Sequence, residues 1–214
     1  MDDEQIARYN AAQAQTFDRS YDRFLVALPS DVVIRMERIV AIPSISEGET
    51  VLDVGTGTGA LIPLIQGYRP RQVIVCDLSR KMLEQVARRF PQVVRQRCDV
   101  RDLPLPDRSV DVVFMNGMFG NIADKQGTLA NLVRMLRSGG RVVISHPEGR
   151  AFVAGITRAE PFPITPLPSE EEARTLFEAF GLSLRCYVDE EKLMIALADL
   201  RSPKSDPPAI ESQE

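Results

Sequence analysis

Val51-Leu52-Asp53-Val54-Gly55-Thr56-Gly57-Thr58-Gly59 decides the fold. An apolar run with β-branched residues stops at three glycines, each two residues from the next. Such a run reads as a buried strand that ends in a tight loop and feeds a helix. Glycines there let the backbone take positive φ and come close to a ligand. Asp53 sits inside the strand, two residues before the first glycine. A buried carboxylate is costly unless it is paired or hydrogen-bonded, and a cationic ligand group would satisfy it. A dinucleotide loop, G-x-G-x-x-G/A, is also met in relaxed form by Gly55, Gly57 and Ala60. The plainest alternative is a glycine turn in which Asp53 bonds backbone amides.

The same pattern recurs downstream. Val73–Cys76 is a β run ending in Asp77, and Ser79 is a ready N-cap for the helix that follows. Asp77 lies near the spacing at which an acid after the second strand meets a ribose, and it also suits a helix N-terminus. Val93 to Asp99 is a third short run ending in an acid, and Val110–Met115 leads to Asn116. Strands are expected at 50–54, 73–77, 93–98, 110–115 and 141–146, with helices at about 59–67, 79–90 and 124–138. Asp124 caps the last helix, and Gly139-Gly140 is expected to end it. This alternation predicts an α/β fold with a parallel sheet and helices on both faces.

Flanking segments complete the plan. Residues 3–42 read as a helical cap in two pieces, broken at Pro29-Ser30-Asp31. Residues 147–168, with five prolines, read as a long lid-like connection. A helix at 169–180 opens with a capping box, Ser169 and Glu172. Two strands, 182–188 and 192–198, then form an antiparallel pair around Asp189-Glu190-Glu191. Residues 1–200 are expected to form one domain and 201–214 a disordered tail.

The bulk numbers fit that plan. The chain has 214 residues, 44% hydrophobic and 26% charged, with a formal net charge of −4. An acidic balance gives no general attraction to nucleic acid or anionic lipid, and no apolar run reaches membrane-span length. Three cysteines, Cys76, Cys98 and Cys186, form neither a disulfide framework nor a zinc site. A reducing, cytoplasmic setting is expected, with no metal.

Taken in order, the strand with its acid and three glycines, Asp77-Leu78-Ser79-Arg80-Lys81-Met82-Leu83, Cys98-Asp99 and Leu103-Pro104-Leu105-Pro106-Asp107 resemble the motifs of class I S-adenosylmethionine-dependent methyltransferases. The wording is nearest to the ubiquinone/menaquinone-biosynthesis C-methyltransferases. Phe17-Asp18-Arg19-Ser20-Tyr21-Asp22 resembles the "FD…YD" stretch of that group. Gly117–Lys125 resembles its "GLRN…DK" segment, with an extra residue and no arginine. The resemblance implies a Rossmann-like, mostly parallel seven-stranded sheet closed by an antiparallel C-terminal pair, with the N-terminal helices closing over the cofactor. It implies S-adenosyl-L-methionine as cofactor, contacted by Asp53, Gly55, Thr56, Gly57, Gly59, Asp77, Leu78, Met82, Asp99, Val100 and Asn116. Asp77 would take the ribose hydroxyls, Asp99 the adenine amino group, and the Val100 amide a ring nitrogen.

Methyl transfer from a sulfonium is an in-line displacement that rewards positioning, and oxygen or carbon acceptors usually also lose a proton. Ligands of open α/β sheets bind beyond the C-terminal strand ends. Asn116 and His146, the only histidine, are therefore the catalytic candidates. The expected partner is a small-molecule methyl acceptor. The alternatives are a dinucleotide-dependent oxidoreductase and a non-catalytic cofactor-binding module on the same fold.

Overall fold

The computed structural model describes residues 1–156 and 162–201. Most of the expected tail, and residues 157–161 of the expected lid, lie outside the described residues. In chain order the elements are α1 (Asp3–Ser20), α2 (Ser30–Ala41), β1 (Thr50–Val54), α3 (Ile62–Gln66), β2 (Gln72–Cys76), α4 (Arg80–Arg89) and β3 (Val94–Gln96). Then come β4 (Val110–Asn116), α5 (Lys125–Met135), β5 (Leu136–His146), α6 (Gly149–Ile156), α7 (Glu170–Glu178), β6 (Leu182–Glu190) and β7 (Leu193–Leu200).

The seven strands form one sheet in the order β3-β2-β1-β4-β5-β7-β6. The first five are parallel, while β7 runs antiparallel to both β5 and β6. Strand side chains alternate between faces, and both faces are apolar. Leu52, Ile74, Val113 and Ile144 pack with Leu129 and Leu132 of α5 and Phe177 of α7. Val51, Val73, Val112 and Val143 pack on the other side with Ile39 of α2, Ile65 of α3 and Val86 of α4. Hence the strands read as near-continuous hydrophobic runs. The reversal of direction in strand order between β1 and β4 leaves a crevice at their C-terminal ends, where such sheets take ligands.

Several boundaries differ from the sequence expectation. α5 ends at Met135 rather than 138, because Leu136 turns extended (φ −69, ψ 138) and joins the sheet opposite Val110. Gly139-Gly140 therefore does not cap the helix. It lies in an irregular stretch of β5, between the Val110–Leu136 and Val112–Arg141 pairings. β3 has three residues instead of six, since Asp99 starts a 3₁₀ turn at Val100–Asp102. The connection after β5 holds a helix, α6, that the proline count hid. The capping box of α7 is present as read, with Ser169 accepting from the Glu172 amide.

The N-terminal segment is fixed to the sheet ends by polar contacts. Arg35 of α2 pairs with Glu148 at 3.0 Å and gives its Nε to the Pro147 carbonyl, tying α2 to the turn after β5. The Arg38–Glu190 pair ties it to the end of β6. Tyr9 and Phe17 of α1 pack on Phe162, with ring centres 5.6 and 6.1 Å away.

Candidate active site

The loop after β1 folds over the end of β2, where the Gly55 and Thr56 amides both donate to the Cys76 carbonyl (2.9 and 3.3 Å). Two of its glycines are required for different reasons. Gly55 (φ +63) lies under Met118, whose Cγ would sit 2.7 Å from any added Cβ. Gly57 (φ +56) faces open space, so its backbone lines a cradle that a side chain would fill.

Asp53 is 2% exposed and accepts from the Thr56 hydroxyl at 2.6 Å. Burial pushes its carboxyl up to about 7; the Thr56 bond opposes that and the nearby Asp77 charge adds to it. Asp77, at the end of β2, accepts the Ser79 amide on Oδ1 (2.8 Å) and the Gly57 amide on Oδ2 (2.9 Å). Burial raises its pKa too, against those two bonds. Asp99 repeats the device one strand further on. Its Oδ1 accepts the Arg101 amide (3.0 Å), and its Oδ2 accepts Asn10 Nδ2 (2.6 Å). In both cases an acid in the connection after a strand holds the amide two residues ahead, an Asx turn that starts the next helical segment.

The remaining residues expected near a cofactor divide by burial. Leu78 is half-buried, and Val100 is buried with its carbonyl held by Asn131 (2.8 Å). Met82 is 2% exposed and its amide bonds Ser79 Oγ, so it packs the first turn of α4. Gly59 donates to the Thr56 carbonyl, which closes the loop.

The last side chains of β4 and β5 are neutral. Asn116 stands opposite Ser145 and accepts its hydroxyl at 2.9 Å, leaving the Nδ2 hydrogens of the amide. His146 accepts the Glu148 amide on Nδ1 (3.1 Å), and its ring lies 5.5 Å from Phe152. Burial pulls its pKa down to about 4. With Nδ1 engaged as an acceptor, the neutral ring carries its proton on Nε2. His146 thus holds the turn as an acceptor on Nδ1 and keeps the Nε2 hydrogen to donate. Among the described residues no cluster of His, Cys, Asp and Glu is placed to hold a metal ion.

Sequence reading missed the side chains that α1 brings to this rim. Gln13, 5% exposed, donates to the Asn121 carbonyl (2.8 Å). Asp18 accepts from Ser79 Oγ (2.5 Å) and the Lys81 amide (3.0 Å). Just beyond α1, the Phe24 carbonyl accepts from Thr58 of the glycine loop (3.1 Å). One clue was available: Gln13 interrupts a helical stripe otherwise made of Ile6, Tyr9 and Phe17, and a polar residue there needs a buried partner.

Residues 52–144 match the protein family described as "Methyltransferase domain". A demethylmenaquinone methyltransferase of Tropheryma whipplei is 40% identical over 121 residues, covering 53% of this chain and 48% of that protein. The chain spans about half the length of the curated relatives it matches. Among solved structures, a Haloferax volcanii chain from a complex of the Trm112 methyltransferase activator with a methyltransferase superposes with a TM-score of 0.74. It shares 20% identity and covers 90% of this chain and 99% of that one. A SAM dependent methyltransferase from Aquifex aeolicus gives 0.67 at 20% identity, over 86% of this chain and 98% of that one. These structural likenesses establish the seven-stranded fold.

Proposed function

We propose, from the premise that the chain carries a class I S-adenosylmethionine-dependent methyltransferase domain, that it methylates a small organic acceptor with an aromatic or quinone-like ring. One observation carries the reading: three carboxylates, Asp53 inside β1, Asp77 directly after β2 and Asp99 in the turn beyond β3, lie along three neighbouring strands beside a glycine loop with an open cradle at Gly57. An acid as buried as Asp53, with one hydroxyl donor, suits a ligand that brings positive charge.

When bound, the cofactor supplies a methyl group already activated by its sulfonium. Asp53 and the loop Gly55, Thr56, Gly57 and Gly59 hold its amino-acid end. Asp77, with lone pairs to spare, would take the ribose hydroxyls, Asp99 would accept from the adenine amino group, the Val100 amide would serve a ring nitrogen, and Leu78 would line the base side of the pocket. Tyr9, Phe17 and Phe162 exclude water from the rim. Asn116 Nδ2 and His146 Nε2 donate hydrogen bonds that orient the acceptor. Holding the two reactants at near-attack distance can supply about 7–11 kcal/mol. A site whose imidazole donates rather than accepts favours an acceptor that gives up its own proton readily, such as a phenol-like ring. Residues 1–200 work as one unit in the cytoplasm, with residues 3–42 as its cap; no helix among the described residues is long and apolar enough to cross a membrane.

Calorimetry with S-adenosylmethionine, S-adenosylhomocysteine and NAD tests the cofactor, and a screen of phenolic and quinol acceptors with labelled methyl donor tests the reaction. Binding of the first two and turnover of a ring acceptor are expected. Preferential binding of NAD would instead favour the oxidoreductase alternative.

A further inference from the structure

The reaction proposed above leaves Phe17-Asp18-Arg19-Ser20-Tyr21-Asp22 without a task beyond closing the rim, yet its acid is committed to a specific place. Asp18 sits at the N-terminus of α4, accepting from Ser79 Oγ and the Lys81 amide, while the Lys81 ammonium lies 4.8 Å from the Tyr21 ring centre. An anion at that end of a helix is favoured by the backbone dipole. Ser79 is a junction. It accepts the Met82 amide on the oxygen that donates to Asp18, and its own amide goes to Asp77 Oδ1. Two turns earlier on α1, about 12 Å along the helix, Asn10 donates to Asp99 Oδ2. One helix therefore grips both the β2 and β3 acids, one directly and one through Ser79.

Whether such a helix blocks the acids or sets them depends on their remaining capacity. An ionised carboxylate offers about four lone-pair positions. Asp77 has two in use, by Ser79 and Gly57, and Asp99 has two in use, by Arg101 and Asn10. Each retains acceptor positions for a ligand, and each is fixed at both oxygens.

We infer that α1 is a positioning element for the nucleoside half of the cofactor. Asn10 aims Asp99 at the adenine amino group, and Asp18, acting through Ser79, aims Asp77 at the ribose. Asn10 and Asp18 are positioning residues, and the inference rests on the cofactor assignment proposed above. It makes adenine discrimination a property of the N-terminal helix and not only of the strand ends.

The test is calorimetric titration of the full chain with S-adenosylhomocysteine and with its inosine counterpart, in which an oxo group replaces the adenine amino group. The parent is expected to favour the adenine form by tenfold or more. Asn10→Ala should lose at least threefold in affinity for the adenine form and narrow that preference. Asp18→Ala should weaken both forms about equally, by fivefold or more, and Asp18→Asn, whose amide oxygen still accepts from Ser79, should recover most of the loss. Lower melting temperatures with unchanged affinity and preference would overturn the inference, leaving α1 a packing element. Tighter binding by Asn10→Ala would overturn it too, by making α1 a plug. Failure of the parent to bind S-adenosylhomocysteine would refute the cofactor assignment itself, which separates the two failures.

Discussion

Along β1, β2 and β3 the polar groups are carboxylates, and two of them are held by backbone amides: Asp77 by Ser79 ahead of it and by Gly57 of the loop after β1, Asp99 by Arg101 ahead of it. At the ends of β4 and β5 they are an amide, a hydroxyl and a neutral imidazole, with Asn116 and Ser145 held by each other across the sheet. The first half is charged, built from local turns and suited to a ligand rich in hydroxyl, amino and cationic groups. The second has neutral side chains at its strand ends, with Phe152 against His146 and the Arg35–Glu148 ion pair on the turn just beyond β5. A site divided in this way keeps binding strength on one side and leaves the other free to vary with the acceptor, because neutral side chains set shape without committing buried charge.

The strongest way to break this division is Asp77→Ala. Losing two charge-assisted bonds to a ribose, each worth about 1.5–3 kcal/mol and not fully additive, should weaken S-adenosylhomocysteine binding by roughly 30-fold or more. Calorimetry on the folded variant measures it, and an affinity within threefold of the parent would remove the ribose role.

Asp53 offers a test with two opposite signs. Its folded pKa, about 7, lies above the unfolded value, so the folded state binds the extra proton. Stability from this group is complete below pH 4 and is lost as pH rises through 7. Asp53→Asn keeps an acceptor for Thr56 and removes the buried charge. The variant should melt several degrees above the cofactor-free parent at pH 8, with the gap narrowed at pH 5, while binding S-adenosylmethionine at least tenfold more weakly. Thermal scans at the two pH values, paired with calorimetry, decide it. A variant that melts lower at pH 8 would mean that Asp53 is stabilised by a partner in the free protein.

The smallest effect is expected in the neutral half. His146→Asn should leave methyl transfer within a few-fold of the parent, since the ring donates from Nε2 and does not take a proton. A hundredfold fall in rate, the usual scale of a lost general base, would restore a catalytic role to His146. Its folded pKa, about 4, lies below the unfolded value, so the unfolded chain binds the extra proton. The parent should lose stability as pH falls from 6.5 toward 4, and the Asn variant should lose less over the same range. Melting temperatures across that window, measured for both proteins, check the sign.

The charged half of the site was legible in the sequence, as were the strands that carry it. A glycine loop after a buried strand and an acid before a helix are local events, governed by backbone conformation within a few residues: Asp53 lies in β1 and Asp77 directly follows β2, while Asp99 falls in the turn beyond a shorter β3. The capping box of α7 was equally local. What the sequence could not determine depended on partners far along the chain. α5 yields to β5 at Leu136 because a sheet position opposite Val110 outweighs helix periodicity. The surroundings of His146 come only with the fold: burial lowers its pKa, the Glu148 amide occupies Nδ1, and Phe152 lies beside the ring. Asn10 and Asp18 meet the strand-end rim only after α1 has packed across it, at sequence separations of 89 residues to Asp99 and 61 to Ser79. The amino-acid sequence alone therefore determined which strand ends carry charge; tertiary packing alone decided how those charges are held, because hydrogen-bond geometry and desolvation depend on the neighbours that the fold supplies.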